Sequence, residues 1–252
     1  MIRSIRADNP GPFTLDGTRS WIIDERAIVD PGPDDAVHLA RLADAAPDLE
    51  LIFVTHRHAD HAPGALRMKQ QYGTKIAAPA GALDPEAIDF LLHDEATFTV
   101  GTRTMRAIAT PGHTSEHFCF FTDTRELFTG DAILGEGTTT IFPPDGEMAS
   151  YMSSLERMRA LDPVILYPGH GPERVDAIEW IDYYIQHRIE RSQEIVTALS
   201  GSSRAIGELR RLIYSDLDAR LHDAAETQLL AHLIHLQQQG RVSCDGVRYR
   251  SN

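Results

Sequence analysis

The chain has 252 residues, of which 42% are hydrophobic and 24% are charged, and its formal net charge is −13. This composition is that of a folded globular protein, and the length suits one large domain with a small appendage. The negative charge argues against a chain-wide basic surface for nucleic acid, and no uncharged apolar run reaches membrane-spanning length, so we expect a cytoplasmic protein with no membrane partner.

Alternating strand and helix patterns fill the first four fifths of the chain. Short apolar runs that end in turn residues predict eight strands. A short helix follows Pro63 and ends at Gly73, a second has its apolar face between Met148 and Leu161, and a third covers residues 174–199. The pattern indicates an α/β protein with strands at 20–23, 27–29, 51–54, 75–78, 104–109, 118–121, 126–128 and 164–167.

The last fifty residues have a different organisation. Residues 200–203 read Ser-Gly-Ser-Ser and break the third helical pattern, so we place a domain boundary there and divide the chain into 1–199 and 200–252. Asp245-Gly246 between alternating residues predicts a hairpin over 241–250. With helical segments at 205–214, 217–221 and 226–239, this order is typical of a small winged-helix domain.

The segment directly after the predicted strand at 51–54 contains the most informative motif. It reads HxHxDH, with His56, His58, Asp60 and His61. Neutral imidazole is the commonest protein ligand for metal ions, and side chains two apart in an extended segment point to one side. His56 and His58 can therefore bind one ion, while Asp60 and His61 turn toward a second position nearby.

Three further residues of ligand type follow other predicted strands. His113, Asp131 and His170 each lie beside a glycine, which permits a tight turn and a close approach of the backbone. Loops at the ends of strands converge at one edge of a sheet, so these side chains can meet the HxHxDH segment. We expect a site for two metal ions, most simply zinc, with seven ligands: His56, His58, Asp60, His61, His113, Asp131 and His170.

The order of HxHxDH followed by single His, Asp and His residues resembles the metallo-β-lactamase superfamily over residues 1 to about 195. The resemblance implies a four-layered αββα sandwich with the metals in a cleft at one edge of two facing sheets. It also implies that the first ion is bound by His56, His58 and His113, that the second is bound by Asp60, His61 and His170, and that Asp131 bridges them.

Longer stretches are similar to the β-lactamase-like protein 2 group within that superfamily. They are residues 9–12, 110–117, 130–139, 167–172 and the winged-helix tail. Two positions depart from that group: Arg19 stands where it usually has Asn, and Pro63 where small residues are common. Arg19 could alter the cleft.

The expected mechanism uses the ions to activate water. Two ions a few ångströms apart can hold a bridging hydroxide at neutral pH, and this hydroxide would attack a carbonyl or phosphoryl group. Asp60 would orient the hydroxide and accept its proton, and His117 is a candidate proton donor to the leaving group, with a supporting role as the alternative. Asp30, at the end of another strand, either supports a ligand by hydrogen bonding or fixes its own turn.

The metal site does not choose the substrate, which could be an ester, a thioester or a phosphodiester. The resemblance implies cleavage of single-stranded RNA, but the tail has only seven arginines against six acidic residues and no basic stripe. A thioesterase of the glyoxalase II kind is the enzymatic alternative, and an iron-dependent persulfide dioxygenase is less favoured. The expected partner is thus a small acyl substrate or single-stranded RNA, and the tail could equally form a homodimer contact.

Overall fold

The computed structural model describes residues 1–252 and contains two β-sheets that face each other. In the first sheet the six strands lie in chain order, with antiparallel pairing among the first three and parallel pairing among the rest. These strands are β1 Ile2–Arg6, β2 Arg19–Ile23, β3 Ala27–Val29, β4 Leu51–Phe53, β5 Lys75–Ala78 and β6 Phe90–Leu91.

The second sheet has five strands in the spatial order β11-β10-β9-β8-β7. Its pairs are antiparallel except β10 and β11, which are parallel. The strands are β7 Thr97–Val100, β8 Arg103–Ala109, β9 Phe118–Thr122, β10 Glu126–Gly130 and β11 Ile165–Pro168.

Helices cover the outer face of each sheet. Alternation along the strands explains this, because successive side chains of a strand point to opposite faces. In β2, Trp21 and Ile23 pack between the two sheets, whereas Ile22 packs outward against the first two helices. The helices on the first sheet are α1 Ala36–Ala45 and α2 Gly64–Tyr72, and those on the second are α3 Met148–Ala160 and α4 Ala177–Ala198. The predicted αββα sandwich is thus confirmed.

All eight strands and all three helices predicted for this part of the chain are present. Helix α2 ends at Gly73, whose φ of 68° is the left-handed conformation that suits glycine. The sequence patterns did not predict β1, β6, β7 or α1. Helix α1 does carry a start signal, since the Asp35 carboxylate accepts a hydrogen bond from the His38 backbone N–H.

The tail has the predicted winged-helix order of helices followed by a hairpin. Ile195 and Leu199, at the end of α4, share one apolar cluster with Leu209 and Leu229, so the tail packs on α4. The proposed division at residue 199 falls just after Ala198, where α4 ends, and stays a prediction. The tail elements are α5 Ile206–Ile213, a 3₁₀ turn Ala219–Leu221, α6 His222–Gln238, β12 Val242–Cys244 and β13 Tyr249–Ser251. None of the helices is both long enough and apolar enough to cross a membrane.

Candidate metal centre

The seven predicted ligands come from four loops at one edge of the sandwich. The HxHxDH segment follows β4, His113 follows β8, Asp131 follows β10 and His170 follows β11. The two sheets are joined close by, because the Trp21 indole N–H donates to the carbonyl of Pro168 at 2.8 Å. Strand order therefore brings together residues that are up to 114 positions apart in the chain, as expected for loops at one sheet edge.

The first group of ligands contains His56, His58 and His113. Nε2 of His56 lies 2.9 Å from Nδ1 of His58, and Nε2 of His113 lies 3.1 Å from the same Nδ1. His56 is fully buried and His113 nearly so, whereas His58 is half-buried and reaches the cleft. Three ring nitrogens at these separations can bind one cation.

The second group contains Asp60, His61 and His170. Nε2 of His61 lies 3.2 Å from Nε2 of His170, and Oδ2 of Asp60 lies 3.4 Å and 3.1 Å from these two nitrogens. Both imidazoles are buried, and the Asp60 carboxylate is partly exposed. Together these atoms form a second set of converging donors.

Asp131 lies between the two groups and directs one carboxylate oxygen toward each of them. Its Oδ2 lies 4.0 Å from His56 Nε2 and 3.7 Å from His113 Nε2, and its Oδ1 lies 3.3 Å from Nε2 of both His61 and His170. Oδ1 is buried without a hydrogen-bond partner. A buried carboxylate oxygen without a partner is costly, and Asp131 together with the five imidazoles and the Asp60 carboxylate forms a donor set that fits two cations.

A second layer of contacts orients the imidazoles from behind, as is usual for metal ligands. Nδ1 of His56 lies 2.9 Å from the Thr55 hydroxyl, and Nδ1 of His61 lies 2.8 Å from Oδ2 of Asp30. The same Asp30 carboxylate accepts from the Thr55 backbone N–H and hydroxyl, at 2.8 Å and 2.7 Å. Asp30 thus contacts His61 directly and His56 through Thr55, which are the hydrogen bonds that the first of its two predicted roles requires.

The two groups differ in charge. Burial lowers the pKa of His56, His58 and His113. Burial also acts to lower the pKa of His170, but the Asp131 and Asp60 carboxylates outweigh it and raise that pKa to about 9. The second group therefore attracts positive charge strongly when no cation is bound, as the ligands of a cation should.

Two glycines let the ligand loops approach each other. A Cβ on Gly169 would lie 2.6 Å from Cε1 of His61 and 2.8 Å from Oδ1 of Asp131. A Cβ on Gly130 would lie 2.6 Å from the Thr55 hydroxyl, and Gly130 has a φ of 48°. The predicted need for glycine beside these ligands is confirmed at both positions.

His117 lies behind the ligands and does not line the cleft. It is 1% exposed, its Nδ1 lies 2.9 Å from the Thr110 hydroxyl, and its ring centroid is 5.1 Å from that of His56. Glu116 is held at the surface by Arg57, at 2.8 Å. This placement favours the supporting role for His117, and proton donation to a leaving group stays a prediction.

The predicted metal ligands open onto a cleft of about 360 Å³. His58, Asp60, His113 and Asp131 form its floor, and two loops that the sequence reasoning did not assign form its walls. The wall residues are Pro12, Phe13, Leu15, Leu134, Glu136, Gly137, Thr138, Thr139, Thr140 and Phe142. The apolar character of residues 12–15 is the one sequence signal for a cleft wall. No sequence pattern places that loop beside Phe142.

Arg19 is not among the residues that line this cleft. Its guanidinium donates to the Gly171 carbonyl and pairs with Asp16, at 2.9 Å in the latter case. Its backbone N–H donates to the carbonyl of Gly169 at 2.7 Å. Arg19 therefore contacts the loop of His170 from outside, and Pro63 serves as the first residue before α2.

Comparison with known proteins agrees with this geometry. The sequence model of the metallo-beta-lactamase superfamily matches residues 14–170, and that of the beta-lactamase associated winged helix domain matches residues 206–248. A Beta-lactamase-like protein 2 homolog of Caenorhabditis elegans is 34% identical over 212 residues, covering 79% of this chain and 70% of the relative.

An Atrochrysone carboxyl ACP thioesterase of Aspergillus fumigatus is 30% identical over 205 residues, covering 78% of this chain and 64% of the relative. Among solved structures, a Beta-lactamase domain protein from Burkholderia ambifaria superposes with a TM-score of 0.83 at 22% identity, over 100% of this chain and 91% of that one. The chain therefore belongs to the metallo-β-lactamase superfamily and is a metal-dependent hydrolase.

Proposed function

We propose that the protein is a dinuclear zinc hydrolase whose substrates are acyl thioesters. The observation that supports two ions is the Asp131 carboxylate, which directs Oδ2 toward one group of ligands and Oδ1 toward the other. A donor set dominated by imidazole, with few carboxylates and no thiolate, suits zinc better than magnesium or calcium.

The residues of the site have separate roles in the proposed reaction. Bound zinc would supply an activated water and polarise the oxygen on which charge develops. Asp60 has the access that a proton acceptor needs, because its side chain is 25% exposed and lies at the cleft floor. Thr18 orients that carboxylate by donating its hydroxyl to Oδ2 at 3.4 Å. The buried imidazoles and Asp131 hold the ions, and no serine or cysteine lines the cleft to act as a nucleophile.

The cleft walls favour an acyl group over a nucleic acid. Pro12, Phe13, Leu15, Leu134 and Phe142 give the walls an apolar surface, and the Phe13 and Phe142 rings pack edge to face with centroids 5.9 Å apart. No lysine or arginine lines the cleft, although phosphodiester backbones are bound mostly through such residues. The thioesterase named among the relatives is in keeping with this substrate class.

A metal analysis and a substrate panel test the proposal. We expect about two zinc per chain and hydrolysis of an acyl thioester in preference to an acyl lactone, a chromogenic β-lactam and a short single-stranded RNA. Asp131→Ala should lose both the metal and the activity while keeping the fold. Asp123→Ala, which removes an equal charge in the exposed turn before β10, is the matched control and should retain both.

Three outcomes would contradict the proposal. A single iron per chain with uptake of oxygen would indicate the persulfide dioxygenase alternative. Asp131-dependent cleavage of RNA without thioester hydrolysis would indicate the endoribonuclease alternative. Turnover by metal-free Asp131→Ala would exclude the metal mechanism itself.

A further inference from the structure

A second cavity, of about 290 Å³, lies beside the cleft and reaches from the main domain to the tail. The cleft and this cavity share a wall formed by Pro12, Phe13 and residues 138–140. On its other sides the cavity is lined by α4 and by the tail, including Arg188, Arg191 and Gln228. A molecule with its reacting group at the metal centre could therefore extend past the shared wall into this cavity.

Three nitrogen donors on residues that line the cavity have no acceptor. They are Nε of Arg188, Nε of Arg191 and Nε2 of Gln228, all inaccessible to solvent. Arg188 is 2% exposed and Gln228 is 7% exposed. An unpaired buried donor destabilises the fold, and more so where the donor is charged. Three such donors on side chains that line one cavity favour a ligand that accepts hydrogen bonds.

Other contacts of these side chains fix their orientation. Arg188 donates through Nη2 to the carbonyl of Thr139, and Arg191 lies over the Tyr214 ring, 4.4 Å from its centroid. Oε1 of Gln228 accepts from the Ile141 backbone N–H at 2.9 Å, so the amide nitrogen is the end that stays free. These contacts keep the three side chains beside the cavity without a ligand, which lowers the entropic cost of binding one.

The cavity is also positively charged. Two guanidinium groups line it, no aspartate or glutamate does, and only Glu194 pairs with one of the two arginines, at 3.0 Å from Nη1 of Arg191. Burial, together with Arg188 and Arg191, lowers the pKa of His187 on the same wall to about 4. A ligand with acceptor oxygens and negative charge matches both the donors and the potential.

We propose that this cavity binds an oxyanion, a phosphate or a carboxylate, carried on the thiol arm of the thioester substrate. The proposal rests on the thioesterase function for its substrate, whereas the anion site itself rests on Arg188, Arg191 and Gln228. Thioesters with an anionic thiol arm should then be better substrates than thioesters with a neutral one, because only the former fill the cavity.

Hydrolysis rates of three thioesters that share one acyl group and differ in the thiol test the substrate assignment. Butyryl thioesters of N-acetylcysteamine, 4′-phosphopantetheine and glutathione differ in that the first thiol is neutral, the second carries a phosphate and the third carries carboxylates. Wild-type protein should prefer at least one anionic thiol in kcat/KM, and the preferred one identifies the source of the oxyanion. Arg191→Gln should reduce this preference about tenfold, the loss expected for one charge-assisted hydrogen bond.

Arg159→Gln is the matched control. It removes the same charge from α3, where Arg159 is 51% exposed and pairs with Asp182 outside the cavity, and it should leave the preference unchanged. If Arg191→Gln fails to fold, Gln228→Glu replaces it. This variant keeps the oxygen that accepts from Ile141 and puts a carboxylate in place of the free donor, so it should remove the preference as well.

A titration of the zinc-loaded protein with inorganic phosphate tests the anion site without any turnover. Phosphate should shift the NMR signals of the Arg188 and Arg191 Nε–H groups, and Gln228→Glu should weaken that binding at least tenfold, whereas phosphate bound at the metal centre would not depend on Gln228. Binding without thioester hydrolysis would overturn the proposed function and keep the anion site. Unshifted arginine signals, or a thiol preference that is equal in wild type and in both cavity variants, would overturn the anion site.

Discussion

Fully buried histidines occur in the candidate metal centre and in helix α6, and they differ in what they can do. His56 and His61, in the candidate metal centre, are fully buried, and so is His232 in α6. Nε2 of His61 has ligand atoms of His170, Asp60 and Asp131 within 3.4 Å, whereas Nδ1 of His232 has only the Ser192 hydroxyl, at 3.0 Å, and its Nε2 has no partner.

The comparison shows which property identifies a ligand. Burial lowers the pKa of both His232 and His56, so neither burial nor its effect on the pKa separates these two histidines. Convergence of the other ring nitrogen on further donor atoms does separate them, whereas a partner behind the ring does not, because His232 has one in Ser192. His232 and His235 are three apart on α6, but they belong to no such cluster, in line with the sequence interpretation.

The largest effect should come from removing one of the nitrogen atoms that converge in the candidate metal centre. His58→Ala removes the nitrogen that lies closest to both His56 and His113, so the first ion should be lost and kcat/KM should fall about 1,000-fold, or roughly 4 kcal/mol of transition-state stabilisation. His232→Asn should keep two zinc and lose less than about threefold in kcat/KM. Metal analysis by mass spectrometry and initial rates distinguish the two variants, and equal metal loss in both would contradict the comparison.

A smaller effect should come from the support behind the rings. In Asp30→Asn an amide N–H₂ group replaces one of the oxygens that accept hydrogen bonds from Thr55 and His61. The amide N–H₂ then faces a hydrogen-bond donor where the wild type has an acceptor. Asn tolerates the φ of 51° at this position, which keeps the backbone change small. We expect zinc affinity to fall about 10- to 100-fold in a chelator competition. Asp162→Asn, at an exposed position with a φ of 54°, is the control, and an equal affinity in wild type and Asp30→Asn would argue against support by Asp30.

How much the sequence could predict follows from the same distinction. The HxHxDH segment and three glycine-flanked residues after strands were sufficient to predict that seven side chains of ligand type converge, because strand ends meet at one edge of a sheet whatever the details of the fold. Asp30 had two interpretations of equal weight, and only its 2.8 Å contact with His61 decides between them. The pattern of residue types along the chain does not predict such tertiary contacts.

The cleft walls and the second cavity lay beyond prediction for a related reason. Phe13, Thr139, Arg188 and Gln228 come from four distant parts of the chain, and no periodicity or motif links them. Strand β1 was missed because it is at the edge of its sheet and contains only two isoleucines, three positions apart, among two arginines and a serine, so it has neither a high apolar content nor a two-residue alternation. Residues that act through tertiary contact alone leave no signal in one sequence.

His232 itself should respond to pH in a way that sharpens the comparison. Burial and the nearby Arg188 and Arg191 lower its pKa well below the usual 6.5, so the folded protein keeps it neutral while the unfolded chain takes up a proton below pH 6.5. The free energy of unfolding should therefore lose about 1.4 kcal/mol per pH unit below 6.5 through this residue, and nothing above it. Urea unfolding of zinc-loaded wild type and His232→Asn at pH 7.5, 6.5 and 5.5 measures the difference in the free energy of unfolding between the two proteins. Loss of zinc at acidic pH affects both proteins and therefore cancels in this difference. Parallel pH profiles would show that His232 is protonated in the fold.

The smallest effect should come from Arg19, which contacts the ligand loop only from outside the centre. Arg19→Asn removes the pair with Asp16 and the contact with Gly171, but it keeps the backbone hydrogen bond to Gly169 that positions the loop of His170. Partly exposed ion pairs contribute little, so the free energy of unfolding should fall by less than about 1 kcal/mol and kcat/KM should change less than about threefold. A tenfold or larger change in kcat/KM at unchanged zinc content would mean that residue 19 shapes the cleft after all. In that event the convergence of ligand atoms would still explain metal binding, but the specificity of the cleft would depend on residues that touch neither metal nor cleft wall.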